Sequence, residues 1–215
     1  MSQHNHRRAI APALILLAGC GGESPSDSTS TAPAPPGHVA PAAASDLPLV
    51  AHPEYANWSS FPVGIVVVRK KEVSNQFGTV RVTTRLRLAE KTGEKVVVES
   101  QVTVDQPGSA LVENPPQSMV YPATFRLPAG MQPEQFNLPA LKAEEYGEET
   151  RTICGQQCDA KLFIWVERNE AGPMNVRHWR SDAIPGRMLR QEIWGHTQNS
   201  VEEIVEITQP DAAAT

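Results

Sequence analysis

Residues 79–104 read TVRVTTRLRLAEKTGEKVVVESQVTV, and the alternation in this stretch decides the fold class. Val80, Val82, Thr84, Leu86 and Leu88 alternate with Thr79, Arg81, Thr83, Arg85 and Arg87, the period of two that belongs to a strand with one dry face. After a break at Glu90 to Gly93, Val96, Val98, Ser100, Val102 and Val104 alternate in the same way with Lys95, Val97, Glu99, Gln101 and Thr103. Keeping both apolar sets on one face predicts Leu88 opposite Val96 and Val80 opposite Val104. Lys91, Thr92 and Gly93 then form a three-residue loop with glycine at the left-handed position. The same register sets Arg85 against Glu99 as a cross-strand ion pair.

A second hairpin is expected in KLFIWVERNEAGPMNVRHWRSD, with strands near 161–168 and 174–181 joined by NEAGP. Leu162, Ile164 and Val166 face one way and Phe163 and Trp165 the other, so both sides are apolar, as in a central or covered strand. Further strands are expected at 63–69, 119–127, 150–153, 193–196 and 201–207. Pro122 and Pro128 push the second of these to a sheet edge. Only Pro139 to Tyr146, PALKAEEY, reads as a helix, started by Pro139 and stopped by Gly147. Many short strands and one short helix predict a mainly β fold, an antiparallel immunoglobulin-like β-sandwich or a small barrel. This domain is expected over residues 47–209, with 210–215 as a tail.

Upstream, Arg7 and Arg8 precede a nine-residue apolar run, Ala9 to Leu17, after which small residues take over. This is the order of a secretory signal, at about half the roughly 20 residues a membrane-spanning helix needs. The residues that end it, Leu17, Ala18, Gly19 and Cys20, resemble the lipobox of bacterial lipoproteins. The resemblance implies removal of residues 1–19, a diacylglyceryl thioether on Cys20 and a further acyl chain, such as palmitate, on its new amino group. Two or more chains hold a protein stably to a membrane where one holds only marginally. The alternative is an ordinary signal cut after Ala18 or Gly19. Arg7 and Arg8 alone, followed by Ala9 and Ile10, lack the rest of a twin-arginine pattern. Gly21 and Gly22 follow the cysteine where inner-membrane retention favours aspartate, so the expected address is the outer membrane, with the domain facing the periplasm or the cell surface.

From residue 20 to 46 the chain is almost wholly Gly, Ser, Thr, Pro, Ala and Asp, too polar to bury a core, and reads as a tether. At 5 to 6 Å times the square root of its length, such a chain reaches roughly 25 to 30 Å. The whole chain carries a net charge of −5; removing Arg7 and Arg8 makes it −7. That balance excludes nucleic acid as a partner, which needs a basic stripe. With Cys20 acylated, Cys154 and Cys158 remain as a pair in an oxidising compartment, and a disulfide that fixes the local turn is the expected use. A redox pair fits the three-residue spacing less well, and a metal site lacks further ligands nearby.

Outside the signal the histidines are His38, His52, His178 and His196. His178 alternates with Val176 and Met174 and reads as a histidine at the edge of the core rather than a general base. No serine elbow, HExxH string or phosphate-cradling glycine loop is present. Glu144, Glu145, Glu148 and Glu149 read as a solvated acidic patch, and Arg81, Arg85 and Arg87 as a solvated face. The expectation is therefore a protein without catalysis, metal or cofactor. The best candidate binding surface gathers Phe163, Trp165, Arg177, Trp179, Arg180, Arg187, Arg190 and Trp194, residue types that dominate interface hot spots. It requires Phe163 and Trp165 to stand across the hairpin from Arg177 and Trp179.

The proline-rich tether, the long hairpin, VYPATFRLPAGMQP at 120–133 and KLFIWVER at 161–168 together resemble the pilotins, lipoprotein chaperones of type III secretion of the YscW kind, over roughly residues 63–182. The cysteine pair and residues 139–149 depart from that pattern. The resemblance implies an accessory factor for envelope assembly or secretion, with an envelope protein as partner. An inhibitor of a hydrolase and a lipoprotein that only braces the envelope are the alternatives.

Overall fold

The computed structural model describes residues 47–170 and 172–210; the signal, Cys20, the tether and the tail beyond Pro210 lie outside the described residues. Twelve strands and two short helices follow one another as β1 (Leu49–Ala51), α1 (Pro53–Trp58), β2 (Val66–Asn75), β3 (Gly78–Lys91), β4 (Lys95–Asp105), β5 (Val112–Glu113), β6 (Gln117–Pro122), β7 (Thr124–Arg126), α2 (Pro133–Phe136), β8 (Glu144–Ile153), β9 (Gln156–Asn169), β10 (Gly172–Arg180), β11 (Met188–Gly195) and β12 (Gln198–Thr208). Every pairing is antiparallel. Ten strands make one sheet in the order β5-β4-β3-β2-β12-β11-β10-β9-β8, with β6 also on β4, while β1 and β7 form a separate ribbon. The mainly β, antiparallel expectation holds, and the sheet is not closed into a barrel. Pro122 ends β6, which sits at the sheet margin as its proline requires.

The first hairpin forms in a shifted register. Leu88 pairs with Val98 and Val82 with Val104, and Arg87, not Arg85, meets Glu99 at 3.4 Å. A bulge between Leu88 and Glu90 adds a residue, and the turn is closed by Thr92 N–H donating to the Lys95 carbonyl at 2.9 Å. A two-residue shift returns every side chain to the same face, so Leu86, Leu88, Val96 and Val98 are buried as the pattern demanded. Each such side chain contributes roughly 1.5 to 3 kcal/mol on leaving water.

The helix expected at 139–146 is absent. Residues 139–142 form bends and a turn, and Glu144 opens β8, which pairs with β9 from Glu144↔Ile164 to Ile153↔Gln156. The long strand β9 offers a full row of backbone groups, and pairing with it outweighs the weak helix propensity of a short segment. Helix α1 forms elsewhere. Pro53 opens it, and the His52 ring nitrogen caps it by accepting from Glu54 N–H at 3.2 Å.

The β8–β9 hairpin turns on Cys154 and Gly155, whose φ values of 50° and 79° make the two-residue mirror-image turn favoured between twisted strands. The two cysteines are not joined in this structure, where a bridge is expected from the sequence. Backbone pairing of Ile153 with Gln156 already closes the turn. Cys158 lies in the core beside Ile153 and Ala160, whereas Cys154 sits exposed at the turn. Partial desolvation pushes the Cys154 thiol up, away from the reactive thiolate.

One apolar cluster joins Trp58, Ile65, Val67, Leu86, Leu88, Val96, Val98, Trp179, Leu189 and Ile204. A second joins Ala143, Phe163, Trp165 and Val176, with Leu138, Ala140 and Ile193 against it. α1 is locked to the segment before β11: the buried Asn57 amide donates to the Asp182 and Ile184 carbonyls, both at 3.0 Å, and Asn57 Oδ1 accepts from Gly186 N–H at 2.7 Å.

Candidate functional site

Residues directly opposed in an antiparallel pair share a face. The β9–β10 register places Ile164 opposite Arg177, Leu162 opposite Trp179 and Val166 opposite Asn175, and β10–β11 places Asn175 opposite Trp194. These side chains line an open groove of about 610 Å³, bordered by Tyr146 and Glu149 of β8. Its wall is apolar and partly wet, with Trp194 37% and Tyr146 73% exposed. The Arg177 guanidinium lies over the Trp194 ring at 5.1 Å, and Arg151 lies over Trp179 at 4.4 Å. Trp179 is only 5% exposed, yet its indole N–H has no hydrogen-bond partner. Buried donors are paired in all but a few places per domain, and this one is an exception. Among the described residues β8 is also the last strand on its side of the sheet, which leaves its outer edge open.

Of the eight candidate residues Arg177, Trp179 and Trp194 meet on this face of the groove, and Trp165 borders it from β9. Phe163 and Trp165 do not stand across from Arg177 and Trp179. They oppose His178 and Val176, so they lie on the other face, buried in the second apolar cluster. The Trp165 indole donates to Glu167 at 3.0 Å. Arg190 shares the face of Trp179, but its guanidinium is held by Glu192 at 2.9 Å and by Glu203. Arg180 lies on the opposite face, donating to Glu54 at 3.2 Å and to the Asn137 carbonyl. Arg187 sits in the turn before β11, bound to Asp182 at 2.7 Å. Arg81 and Arg87 pair with Glu72 and Glu99 on an exposed face.

The second feature is a polar seam on the other face of β10, the one that carries Phe163, Trp165 and Val176. His178 opposes Phe163 on one side and Gln191 on the other, and Arg69 opposes Ile204 and Thr84. Arg69, Arg180, His178, Glu54, Leu138 and Met188 line a cavity of about 350 Å³ there. His178 is 9% exposed, with Nδ1 at 3.2 Å from Gln191 Oε1. Burial above all, then the charges of Arg180 and Arg69, lower its pKa to about 4 against the hydrogen bond to Gln191, so the ring is neutral at physiological pH. Its partner is an amide rather than a carboxylate, and His196 is exposed in the turn between β11 and β12. Gly186, at φ +71°, lets the chain approach this seam. A Cβ there would lie 2.8 Å from Arg69 Nη2 and 3.1 Å from the Trp58 ring.

Sequence reasoning missed Arg69 and the groove residues Tyr146, Ile164 and Val166. Arg69 carried a signal, since it alternates with Val67 and Val73 and so occupies an inward position of its strand. Ile164 and Val166 carried one too, as the second apolar side of KLFIWVER.

No family model matches the chain, and no curated protein matches its sequence. Several solved structures resemble the chain in part. A protein described as a lipoprotein from Parabacteroides distasonis is 12% identical, with 69% of this chain and 97% of that chain covered, at a TM-score of 0.43. A protein of YmcC-like fold, described as exported, from Bacteroides fragilis is 11% identical over 69% of this chain and 97% of that chain, at 0.39. A domain described as an outer membrane lipoprotein-sorting protein from Vibrio parahaemolyticus is 9% identical over 74% of this chain and 90% of that chain, at 0.27. At these identities and scores nothing about partner or activity passes from them to this chain.

Proposed function

We propose that this is a lipid-anchored protein of the bacterial envelope, held in the outer membrane through Cys20, whose β domain is a non-catalytic binding module for an extended segment of another envelope protein. The observation that carries the reading is the groove with Arg177 stacked over Trp194 in its wall, beside the terminal strand β8. An extended polypeptide supplies what each part lacks: apolar side chains for Ile164, Val166 and Trp194, and backbone groups for a free strand edge. An accessory role in assembly or secretion follows from a binding domain on a tether.

The test is photo-crosslinking in cells from a probe at Val166, with Arg85 on the exposed side of β3 as the control position. The expected result is one dominant protein adduct at Val166, absent from Arg85, mapping to an extended apolar segment of the partner. Trp194→Ala should abolish it, since a central tryptophan commonly carries about 2 kcal/mol or more of an interface. Equal labelling at both positions, or an adduct indifferent to Trp194→Ala, would refute the groove. A hydrolase as the adduct would move the reading to an inhibitor. The anchor is tested separately: Cys20→Ser should shift the protein from the membrane pellet to the soluble periplasmic fraction, and unchanged fractionation would remove the lipid anchor.

A further inference from the structure

We propose that the seam between α1, β2 and β10 binds a small organic anion, a carboxylate or phosphate group carried on a short apolar body, at a site separate from the groove. Arg69 is a desolvated guanidinium, and its Nη2 donates to the Gly186 carbonyl at 3.1 Å. Its Nε is buried with no hydrogen-bond partner, and among the described residues no carboxylate lies within ion-pair distance of it. Glu202 and Glu54 act on it only from beyond ion-pair distance, and a buried guanidinium with no directly bonded counter-charge is unfavourable, so the site is open to a closer anion. Arg180 adds a second guanidinium to the same cavity, and Glu54, bound to Arg180 at 3.2 Å, is the one carboxylate that lines it. Two guanidiniums and one carboxylate therefore line the cavity, while Glu202 acts on Arg69 from outside it.

Its other walls set the rest of the ligand. Leu138, Phe136 and Met188 supply an apolar side, and neutral His178 has one ring nitrogen committed to Gln191, leaving the other to meet the ligand. A volume of about 350 Å³ lies at the small end of ligand sites and exceeds what a bare ion needs. The planar fork of arginine suits the two oxygens of a carboxylate or phosphate. The positive charges that help hold His178 neutral are the ones a bound anion would offset, so the histidine reports on occupancy.

The experiment titrates the full-length protein with sodium hexanoate, hexyl phosphate and inorganic phosphate. Sodium chloride at matched ionic strength and hexanol are the controls, with the His178 ring resonances followed by NMR. Saturable shifts with hexanoate or hexyl phosphate, accompanied by a rise in the His178 pKa and absent with chloride and hexanol, are expected. Hexyl phosphate binding better than hexanoate would assign the head group to phosphate, and the reverse to carboxylate. Arg69→Met should weaken binding roughly tenfold or more, with Arg69→Lys in between. No saturable shift with either alkyl anion, a response to inorganic phosphate alone, or an equal response in folded Arg69→Met would overturn the proposal. None of these results depends on the groove or its partner.

Discussion

Trp58→Ala is expected to lower the stability of the domain by about 3 to 5 kcal/mol, the range for emptying a packed tryptophan site. Trp58 is 2% exposed and sits where the short helix α1 meets Ile65, Val67 and Leu88 of the core. A six-residue helix has too little of its own hydrogen bonding to persist without packing, so the indole and the buried Asn57 amide are what hold α1 to the sheet. The loss would also free Gly186 and Arg69, which the ring supports from the other side. Urea unfolding followed by far-UV circular dichroism checks this: the midpoint should fall by more than about 1 M with the slope unchanged. A fall of under about 1 kcal/mol would mean that α1 detaches without unfolding the sheet, and that the first apolar cluster stands without it.

How far the sequence could be read depended on which property each feature rests on. The first hairpin was legible because its alternation is strict, and because a two-residue error in register leaves Leu88 and Val98 on the same side as Leu88 and Val96 would have been. What placed Arg87 rather than Arg85 against Glu99 was a bulge near Ala89, which periodicity does not mark. In the second hairpin the error was odd rather than even. Phe163 opposes His178, one position from Arg177, and that single step moves both aromatics from the groove to the opposite face. Residue types that bind were therefore visible in the sequence, and the grouping of Arg177, Trp179 and Trp194 was not. The misread helix at 139–146 has the same origin, since the strand partner that recruits Glu144 to Tyr146 is distant in pattern and adjacent only once β9 is placed. Arg69 became meaningful only when β12 and α1 enclosed it.

Between pH 6.5 and about 4 the protein should lose stability through His178. Its pKa is about 4 in the folded state against 6.5 in an unfolded chain, so the unfolded state binds the proton first as pH falls. The stabilisation is fully present above 6.5, declines through the window, and falls no further below about 4. At roughly 1.4 kcal/mol per pH unit the gap corresponds to about 3 kcal/mol. Burial fixes the sign: it opposes the charged ring most, Arg180 and Arg69 add to it, and the hydrogen bond to the non-titrating Gln191 offsets only part. His52, lowered mainly by burial, adds in the same direction, and surface carboxylates add their own acid sensitivity. The decisive comparison is therefore His178→Gln, which keeps a polar side chain beside Gln191 and does not titrate. Urea midpoints for both proteins should converge as pH falls from about 7 to about 4, with the variant less stable at neutral pH and less steep in its decline. Parallel curves would show that the ring gains a proton at its ordinary pKa in the folded protein, which would require water or a flexible rotamer to relieve the charge of the two arginines.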